Sequence, residues 1–336
     1  MARYLVTGGC GFIGTHLCRS LLRDGHAVRV LDDLSTGRRD NLAHGADLLV
    51  GDLGDPATLA AALAGIDGCF HLAAIASVMR GTTDWVGTNR VNLAASIALF
   101  DAVAKLPGGR RRPVVYVSSA AVYGDGDRQP ISEASQTRPL SAYGADKLAM
   151  ELHARVATLV HRVPTVGIRP FNVYGPLQDP ASPYSGVISI FCERIRAGAP
   201  VTIYGDGAQT RDFVFVADVV AALRAAMKRL PGGAPVFNVC TGIGTSVGEL
   251  AQAVAGLCGR PARLAIRPAR DGEIRHSVGD PSSGRLALDL GAATPISAGL
   301  AATLAWLEAG GFASAEATTP LAVPGTAGKP VRVASQ

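Results

Sequence analysis

The sequence predicts an α/β protein: a doubly wound parallel sheet with a smaller C-terminal α/β lobe. Short apolar runs alternate with helix-period segments through the first half of the chain. A glycine-rich turn joins the first strand pattern to the first helix pattern, and the rhythm breaks after Pro170. Regular strand–helix alternation returns each crossover helix to a face of one sheet, so both faces are covered.

Residues 3–7 read as a short buried strand. Residues 12–24 follow as a helix, with Ile13, Leu17, Leu21 and Leu22 on one face. Further strands are expected at 27–31, 48–50, 68–72, 114–118 and 166–169, and helices at about 56–64, 84–105 and 142–160. Residues 1–170 are assigned to the first domain. Beyond Pro170 loops lengthen and Pro and Gly rise, so 171–312 is assigned to a second lobe. Val236–Val239 reads as one more buried strand that rejoins the first sheet, which interleaves the two. From about Ala313 the chain is Ala/Thr/Pro/Gly-rich without periodicity, and 313–336 is expected to be a flexible tail.

With 336 residues and 48% apolar composition, the chain can bury a sizeable core. No apolar run reaches the roughly 18 residues of a membrane span. The N-terminus enters Tyr4-Leu5-Val6-Thr7 directly, without the layout of a secretory leader. The six cysteines form no CxxC pair, so reduced thiols in a cytoplasmic protein without a metal site are expected. A net charge of +5 favours solubility and anionic ligands. The one dense basic run, Arg110-Arg111-Arg112, lies in a Pro/Gly turn without interleaved aromatics, which argues against nucleic acid.

Thr7-Gly8-Gly9-Cys10-Gly11-Phe12-Ile13-Gly14 follows a strand and opens a helix, with spacing G-x-x-G-x-x-G. Glycines there let main chain approach a pyrophosphate, and the helix N-terminus offers free N–H groups. That context reads as the dinucleotide-binding turn of a Rossmann-type fold. Asp32 ends the second strand about twenty residues on, where a carboxylate accepts from ribose hydroxyls and repels a 2′-phosphate. NAD is therefore expected over NADP, although Arg38 and Arg39 nearby are the residue type that accommodates NADP. Asp52 and Leu53 are placed near the adenine. His71-Leu72-Ala73-Ala74 puts small residues, Ala73 among them, beside the cofactor phosphates, with His71 itself read as structural.

Tyr143-Gly144-Ala145-Asp146-Lys147 sets a tyrosine and a lysine at i and i+4, on one helix face. A free tyrosine, with a pKa near 10, is a poor base at neutral pH, and an ammonium beside it is expected to lower that value. Ser119 ends the fifth strand, 24 residues earlier, so all three project at the carboxyl edge of a parallel sheet.

TGGCGFIG, DDLSTG, HLAA, YVSSAAVYG, YGADK, RPFNVYGP, YGDGAQTRDF and RDGEIRHS together resemble the extended short-chain dehydrogenase/reductase family, and within it the nucleotide-sugar 4-epimerases. The resemblance runs from residue 5 to about 280. It implies Ser119, Tyr143 and Lys147 as the catalytic triad and NAD as the cofactor. It implies that Asn172 and the segment from Tyr184 through Gly186 and Val187 to Ile188 hold the nucleotide sugar. Arg211 and Arg270 would grip its diphosphate, for which guanidinium forks are suited, and Glu273 its uridine ribose. Asn92 would support the cofactor, the active-site main chain or helix packing. Ser77, Gln178, Gly186 and Ser277 resemble the pattern of relatives that accept N-acetylhexosamines; in relatives restricted to plain hexoses a tyrosine stands at the position of Ser277. A homodimer through the 84–105 and 142–160 helices is also implied, with Ile97, Leu99 and Phe100 available to core or interface.

Relatives that eliminate water or decarboxylate carry acidic residues after the catalytic hydroxyl, because those steps need further proton transfer. Here Ala120 and Ala121 follow, and neither can transfer a proton. The same Ala120 argues against 3,5-epimerases. What remains is hydride chemistry: C4 epimerisation of UDP-glucose and UDP-galactose, with tolerance for the UDP-N-acetylhexosamines. A nucleotide-sugar reductase or dehydrogenase, an epimerase of a UDP-uronic acid, and a non-enzymatic NAD-sensing protein stay open as alternatives.

Overall fold

A computed structural model of the protein describes residues 1–107, 112–126, 129–180, 186–269 and 274–311. Arg110, Arg111, Tyr184, Arg270, Glu273 and the segment 313–336 lie outside them.

The first half of the chain alternates strand and helix. In order come β1 (Arg3–Thr7), α1 (Phe12–Arg23), β2 (Ala27–Asp32), β3 (Asp47–Val50), α2 (Pro56–Leu63) and β4 (Gly68–His71). Then follow α3 (Val78–Thr83), α4 (Trp85–Asn89), α5 (Ala95–Ala104), β5 (Val114–Val117), α6 (Ala142–Leu159), β6 (Thr165–Pro170) and β7 (Asn172–Tyr174). The remainder comprises α7 (Val187–Arg196), β8 (Val201–Tyr204), β9 (Thr210–Phe215), α8 (Val216–Arg229), β10 (Val236–Val239), β11 (Gly244–Ser246) and α9 (Val247–Cys258). It closes with β12 (Leu264–Arg267), β13 (His276–Ser277), α10 (Ser282–Leu288) and α11 (Ile296–Glu308).

Seven parallel strands form the main sheet in the order β10-β6-β5-β4-β1-β2-β3. Its central strands are buried throughout, as in β4 and β6, because helices cover both faces. One face packs Leu17 and Leu21 of α1 with Val219, Leu223 and Met227 of α8. The other packs Leu59 and Leu63 of α2 with Leu99 and Phe100 of α5 and Met150 of α6. Leu99 and Phe100 therefore belong to the core and not to an exposed interface. The second lobe has its own core, where Phe191 and Ile195 of α7, Leu250 and Val254 of α9, and Leu300 and Leu304 of α11 surround Phe213 of β9.

Local chemistry sets several boundaries. Asp55 caps α2 by accepting from the Thr58 N–H at 2.8 Å, with Pro56 at the first helical position. Ser141 caps α6 by accepting from the Gly144 N–H at 3.1 Å. Ser246 and Glu249 form a reciprocal capping box on α9. The helix expected over 84–105 is interrupted: between α4 and α5 the turn Arg90–Ala94 is π-helical. Such bulges take in an extra residue and frequently mark functional sites.

Strand order reverses at β1, whose neighbours are β2 on one side and β4 on the other. The loops leaving β1 and β4 therefore part there, and the crevice between them is where doubly wound sheets bind ligands. Among the described residues no helix is long and apolar enough to cross a membrane.

Candidate active site

A cleft of about 510 Å³ opens at this reversal. Its wall includes Gly8, Gly11, Phe12, Ile13, Gly14, Asp32, Asp52, Leu53, Ala73, Ser119, Tyr143, Lys147, Asn172, Gln178, Gly186 and Val187. Residues as far apart as 8 and 187 meet there, the first from the loop that leaves β1 and the second from the start of α7 in the second lobe.

The glycine turn is fitted to an approaching main chain. Gly8 has φ +71°, and a Cβ there would come within 2.8 Å of the Ala73 nitrogen. At Gly14 a Cβ would fall 2.2 Å from the Gly8 carbonyl oxygen, so α1 could not pack this closely on β1. Gly11 caps α1 without any side-chain hydrogen bond, which leaves the first N–H groups of the helix free for an anion. Asp32, 7% exposed, accepts from the Cys10 N–H through one oxygen and from the Leu34 N–H through the other, both at 2.9 Å. Burial raises its pKa and the two N–H donors oppose that rise. A carboxylate has about four lone-pair positions, so both oxygens keep capacity for ribose hydroxyls. Arg38 is turned toward the second lobe, with Nη1 3.6 Å from an Asp179 carboxylate oxygen.

Behind the wall runs a buried chain of hydroxyls. Thr7 Oγ1 accepts from the Leu72 and Ala73 N–H groups, both at 3.2 Å. Its own proton then goes to His71 Nδ1 at 2.8 Å. His71 Nε2 in turn donates to Ser96 Oγ at 2.8 Å, and Ser96 donates to the Asn92 carbonyl at 2.7 Å. The donors fix His71 as the neutral Nε2–H tautomer. Burial, with a smaller contribution from Lys147, pushes its pKa down to about 3. His71 is thus a structural hub that sets the main chain of Leu72 and Ala73.

On the opposite wall, Tyr143 and Lys147 share one face of α6. Lys147, 2% exposed, donates from Nζ to the Val117 carbonyl at 2.8 Å, with Nζ 5.9 Å from the Tyr143 ring centroid. Burial pushes its pKa down to about 8, against the carboxylates of Asp146 and Glu151. The Tyr143 phenol is raised by burial, and a hydrogen bond with the Ser119 hydroxyl pulls it partly back. Burial of the phenol is thus the larger influence, and the hydrogen bond with Ser119 opposes it. Ser119 Oγ also accepts from the Ala121 N–H at 3.1 Å, which fixes its rotamer at the strand end.

Four of the residues singled out from sequence stand off the wall of the cleft. Ser77 is buried and caps α3 by accepting from the Arg80 N–H at 2.9 Å. Asn92 is fully buried and holds the main chain of Ile75, a residue that lines the cleft. Arg211 lies on β9 and donates to the Thr210 carbonyl at 2.9 Å. Ser277 pairs beside Arg211, in the register of β13 against β9. Arg270 and Glu273 lie outside the described residues.

Gln178 is on the wall: its Nε2 donates to the Val173 carbonyl at 3.2 Å, while its buried Oε1 has no hydrogen-bond partner among the described residues. The structure adds wall residues that sequence reasoning passed over. Asp33, Ser35 and Thr36 follow Asp32 in DDLSTG, and Phe171, Tyr174 and Phe213 sit in the later motifs. Their signal was their place inside those motifs, since aromatics there read equally well as core. Among the described residues no group of three or more His, Cys, Asp or Glu is placed to hold a metal ion. All six cysteines are free thiols.

The family model for NAD dependent epimerase/dehydratase proteins matches residues 4–240. A UDP-glucose 4-epimerase of Mycolicibacterium smegmatis is 40% identical over 311 residues, covering 90% of this chain and 97% of that protein. Among solved structures, UDP-glucose 4-epimerase of Thermotoga maritima with UDP-glucose superposes with a TM-score of 0.87 at 32% identity, covering 91% of this chain and 99% of the other. UDP-N-acetylglucosamine 4-epimerase of Methanobrevibacter ruminantium, in complex with UDP-N-acetylmuramic acid, gives 0.86 at 32% identity, covering 92% and 98%.

Proposed function

We propose that this chain, which belongs to the NAD dependent epimerase/dehydratase family, inverts C4 of a UDP-hexose, interconverting UDP-glucose and UDP-galactose through a 4-keto sugar. One observation carries this reading. Ser119, Tyr143 and Lys147 converge on a cleft continuous with the glycine turn, and only Ala120 and Ala121 follow the serine. The residues present fit a dinucleotide: free helix N–H groups for its pyrophosphate, a glycine cradle that a Cβ would fill, and an ionisable carboxylate for its ribose.

Bound NAD supplies the acceptor and donor of the hydride exchanged at C4. The chain's own residues manage the proton. Tyr143 Oη takes it from the sugar 4-hydroxyl, and Ser119 Oγ hydrogen-bonds the same oxygen and orients it. Lys147 stabilises the phenolate as it forms, since an ammonium in a dry site acts strongly on a nearby anion. Tyr143 returns the proton once the sugar has presented its other face. Asn172, Gln178, Gly186 and Val187 hold the nucleotide sugar from the second lobe, with Arg211, Arg270 and Glu273 on the diphosphate and uridine. The M. smegmatis relative supports the plain hexose pair as substrate. The M. ruminantium structure supports tolerance for the N-acetyl pair.

The experiment is conversion of UDP-galactose to UDP-glucose by purified protein without added NADH. Wild type should turn over on the NAD it carries. Tyr143→Phe should lose turnover while keeping NAD, and Ser119→Ala should lose roughly 100-fold, the scale of one positioned hydrogen-bonding group. A strict requirement for added NADPH would instead favour a reductase. Near-normal turnover of Tyr143→Phe would remove the mechanism.

A further inference from the structure

A buried ion pair lies directly behind the catalytic lysine. Glu151 is one turn beyond Lys147 on α6, so Tyr143, Lys147 and Glu151 occupy positions i, i+4 and i+8 of one face. Glu151 is 7% exposed and Arg169 of β6 is 6% exposed. They meet through both arms: Nε to Oε1 at 2.8 Å and Nη2 to Oε2 at 2.5 Å. Glu151 Oε1 also accepts from the hydroxyl of buried Ser118. Ser118 stands between Val117, whose carbonyl holds Lys147, and Ser119, which takes part in the chemistry.

Arg169 is fixed on its far side as well. Its Nη1 donates to Tyr123 Oη at 2.7 Å, and its guanidinium carbon lies 4.9 Å from the centre of the Tyr123 ring. Tyr123 donates onward to Asn238 Oδ1 at 2.7 Å. Tyr123 ends the short turn that begins at Ser119, so the pair braces the Ser119 loop from both ends.

A buried ion pair gains little stability over apolar residues of the same size, because desolvation consumes most of the attraction. Stability alone is therefore a poor reason for charges here, and the placement beside Lys147 supplies a better one. We propose that Glu151 is a positioning residue: its carboxylate holds the charge on Lys147 and, through Ser118, fixes the strand end that carries Val117 and Ser119. Arg169 is its bidentate counter-ion in the core. This rests on the assignment of Lys147 to catalysis.

Facing Lys147, Asp146 and Glu151 come from α6 together with the Tyr143 phenol, neutral His71 comes from β4, and Arg169 stands behind Glu151 on β6. Asp146 and Glu151 are the charges that oppose the burial of Lys147. Asp146 is committed toward α4, where its Oδ1 accepts from Asn89 Nδ2 at 2.6 Å. Glu151 is the one tied to the catalytic strand end.

Glu151→Gln removes the charge and keeps an oxygen for Ser118. The alkaline limb of its kcat–pH profile should move down by about one pH unit, since an opposite charge at this range shifts a titration by one or more. Its NAD content and KM for UDP-galactose should stay within about twofold, because Glu151 does not line the cleft. If Glu151→Gln does not fold, Glu151→Gln/Arg169→Gln leaves no unpaired charge and should show the same displacement. An unmoved limb in a folded variant, whether or not kcat falls, overturns the proposal and makes the pair purely structural. Lys147→Met separates the two levels. If it is inactive while the Glu151 variant keeps its limb, only this proposal fails; if it stays active, the assignment of Lys147 fails with it.

Discussion

Asn92 grips the main chain of Ile75 from both sides, accepting from its N–H at 2.7 Å and donating to its carbonyl at 3.2 Å. The π-helical turn brings this side chain into register with an extended segment, in the way a neighbouring strand would. Its carbonyl also receives the Ser96 hydroxyl, so Asn92 ties the His71 chain to the segment that lines the cleft.

Asn92→Leu should therefore loosen the cofactor wall. Both Ile75 groups would be left buried without partners, each at a cost of about 1–3 kcal/mol. Purified variant should retain less NAD than wild type, with kcat falling less once NAD is added in excess. Wild-type NAD retention would place Asn92 in helix packing alone.

Burial of the Lys147 ammonium carries a stability cost. Its folded pKa of about 8 lies below the unfolded value of about 10.4. The cost is fully present below pH 8 and is relieved as pH rises from 8 toward 10. Lys147→Met, which keeps the apolar stem, should stabilise cofactor-free protein at pH 7 by about 3 kcal/mol while abolishing turnover. Denaturant titration at pH 7 and pH 10 checks both points, since the advantage of the variant should shrink at the higher pH. A variant less stable than wild type at pH 7 would show that the contacts of Lys147 with the Val117 carbonyl and the carboxylates of Asp146 and Glu151 outweigh its desolvation.

His71 makes the opposite contribution. It stays neutral when folded down to about pH 3, whereas an unfolded histidine protonates near 6.5. Stability from this group is complete above pH 6.5 and is lost as pH falls from there toward 3. His71→Gln should be less stable at pH 7.5, because Thr7 and Ser96 lose their fitted partner. Its further loss between pH 6.5 and 4 should be shallower than in wild type, by thermal melts across that range. Parallel acid profiles would show that His71 does not titrate on unfolding.

The sheet and the meeting of Ser119, Tyr143 and Lys147 at one cleft were legible in the sequence, because both rest on local rules. Apolar runs with a period switch mark β1 to β6, and the Tyr143–Lys147 spacing needs only the helix repeat. What escaped depends on meetings across the sheet. Nothing in the chain near Glu151 points to Arg169, eighteen residues on, or to Ser118, because parallel pairing of β5 with β6 brings them together. The π-helical turn also escaped, since its apolar spacing matches an ordinary helix. The depth of burial escaped for a related reason: spacing gives the proximity of Tyr143 and Lys147 but not the desolvation that raises the phenol.

A homodimer is expected through α4 and α6. Trp85 and Val86 are 68% and 83% exposed, and Leu152, Val156 and Leu159 present an exposed apolar stripe along α6. Their spacing of four and three keeps them on one helical face. Leu152→Glu/Val156→Glu should halve the mass seen by light scattering at micromolar concentration, with little change in folding because neither position is in the core. A wild-type monomer under the same conditions would rule the dimer out.

The size of the group tolerated at C2 of the sugar should turn on Ser277. This residue sits in the short strand β13, in register with Arg211 on β9. The strand is held firmly on both sides. Gln129 donates to the His276 carbonyl at 3.1 Å and accepts from the Val278 N–H at 2.7 Å, and Thr210 Oγ1 is hydrogen-bonded to His276 Nδ1 at 2.9 Å. A side chain at 277 is therefore fixed in position beside a residue assigned to the diphosphate. Serine is small, and space left by a small residue admits a smaller substrate as well as a larger one, whereas a rigid bulky residue rejects the larger. Wild type is thus expected to convert both UDP-galactose and UDP-N-acetylglucosamine. Ser277→Tyr should lower kcat/KM for the N-acetyl pair by about 10–100-fold, the range open to steric discrimination, while leaving the plain pair within about threefold. Both substrates assayed side by side on both proteins decide the matter. Absence of wild-type conversion of UDP-N-acetylglucosamine would sink the open-pocket argument, and equal loss on both sugars would show that the tyrosine disturbs Arg211 instead of filling a C2 pocket.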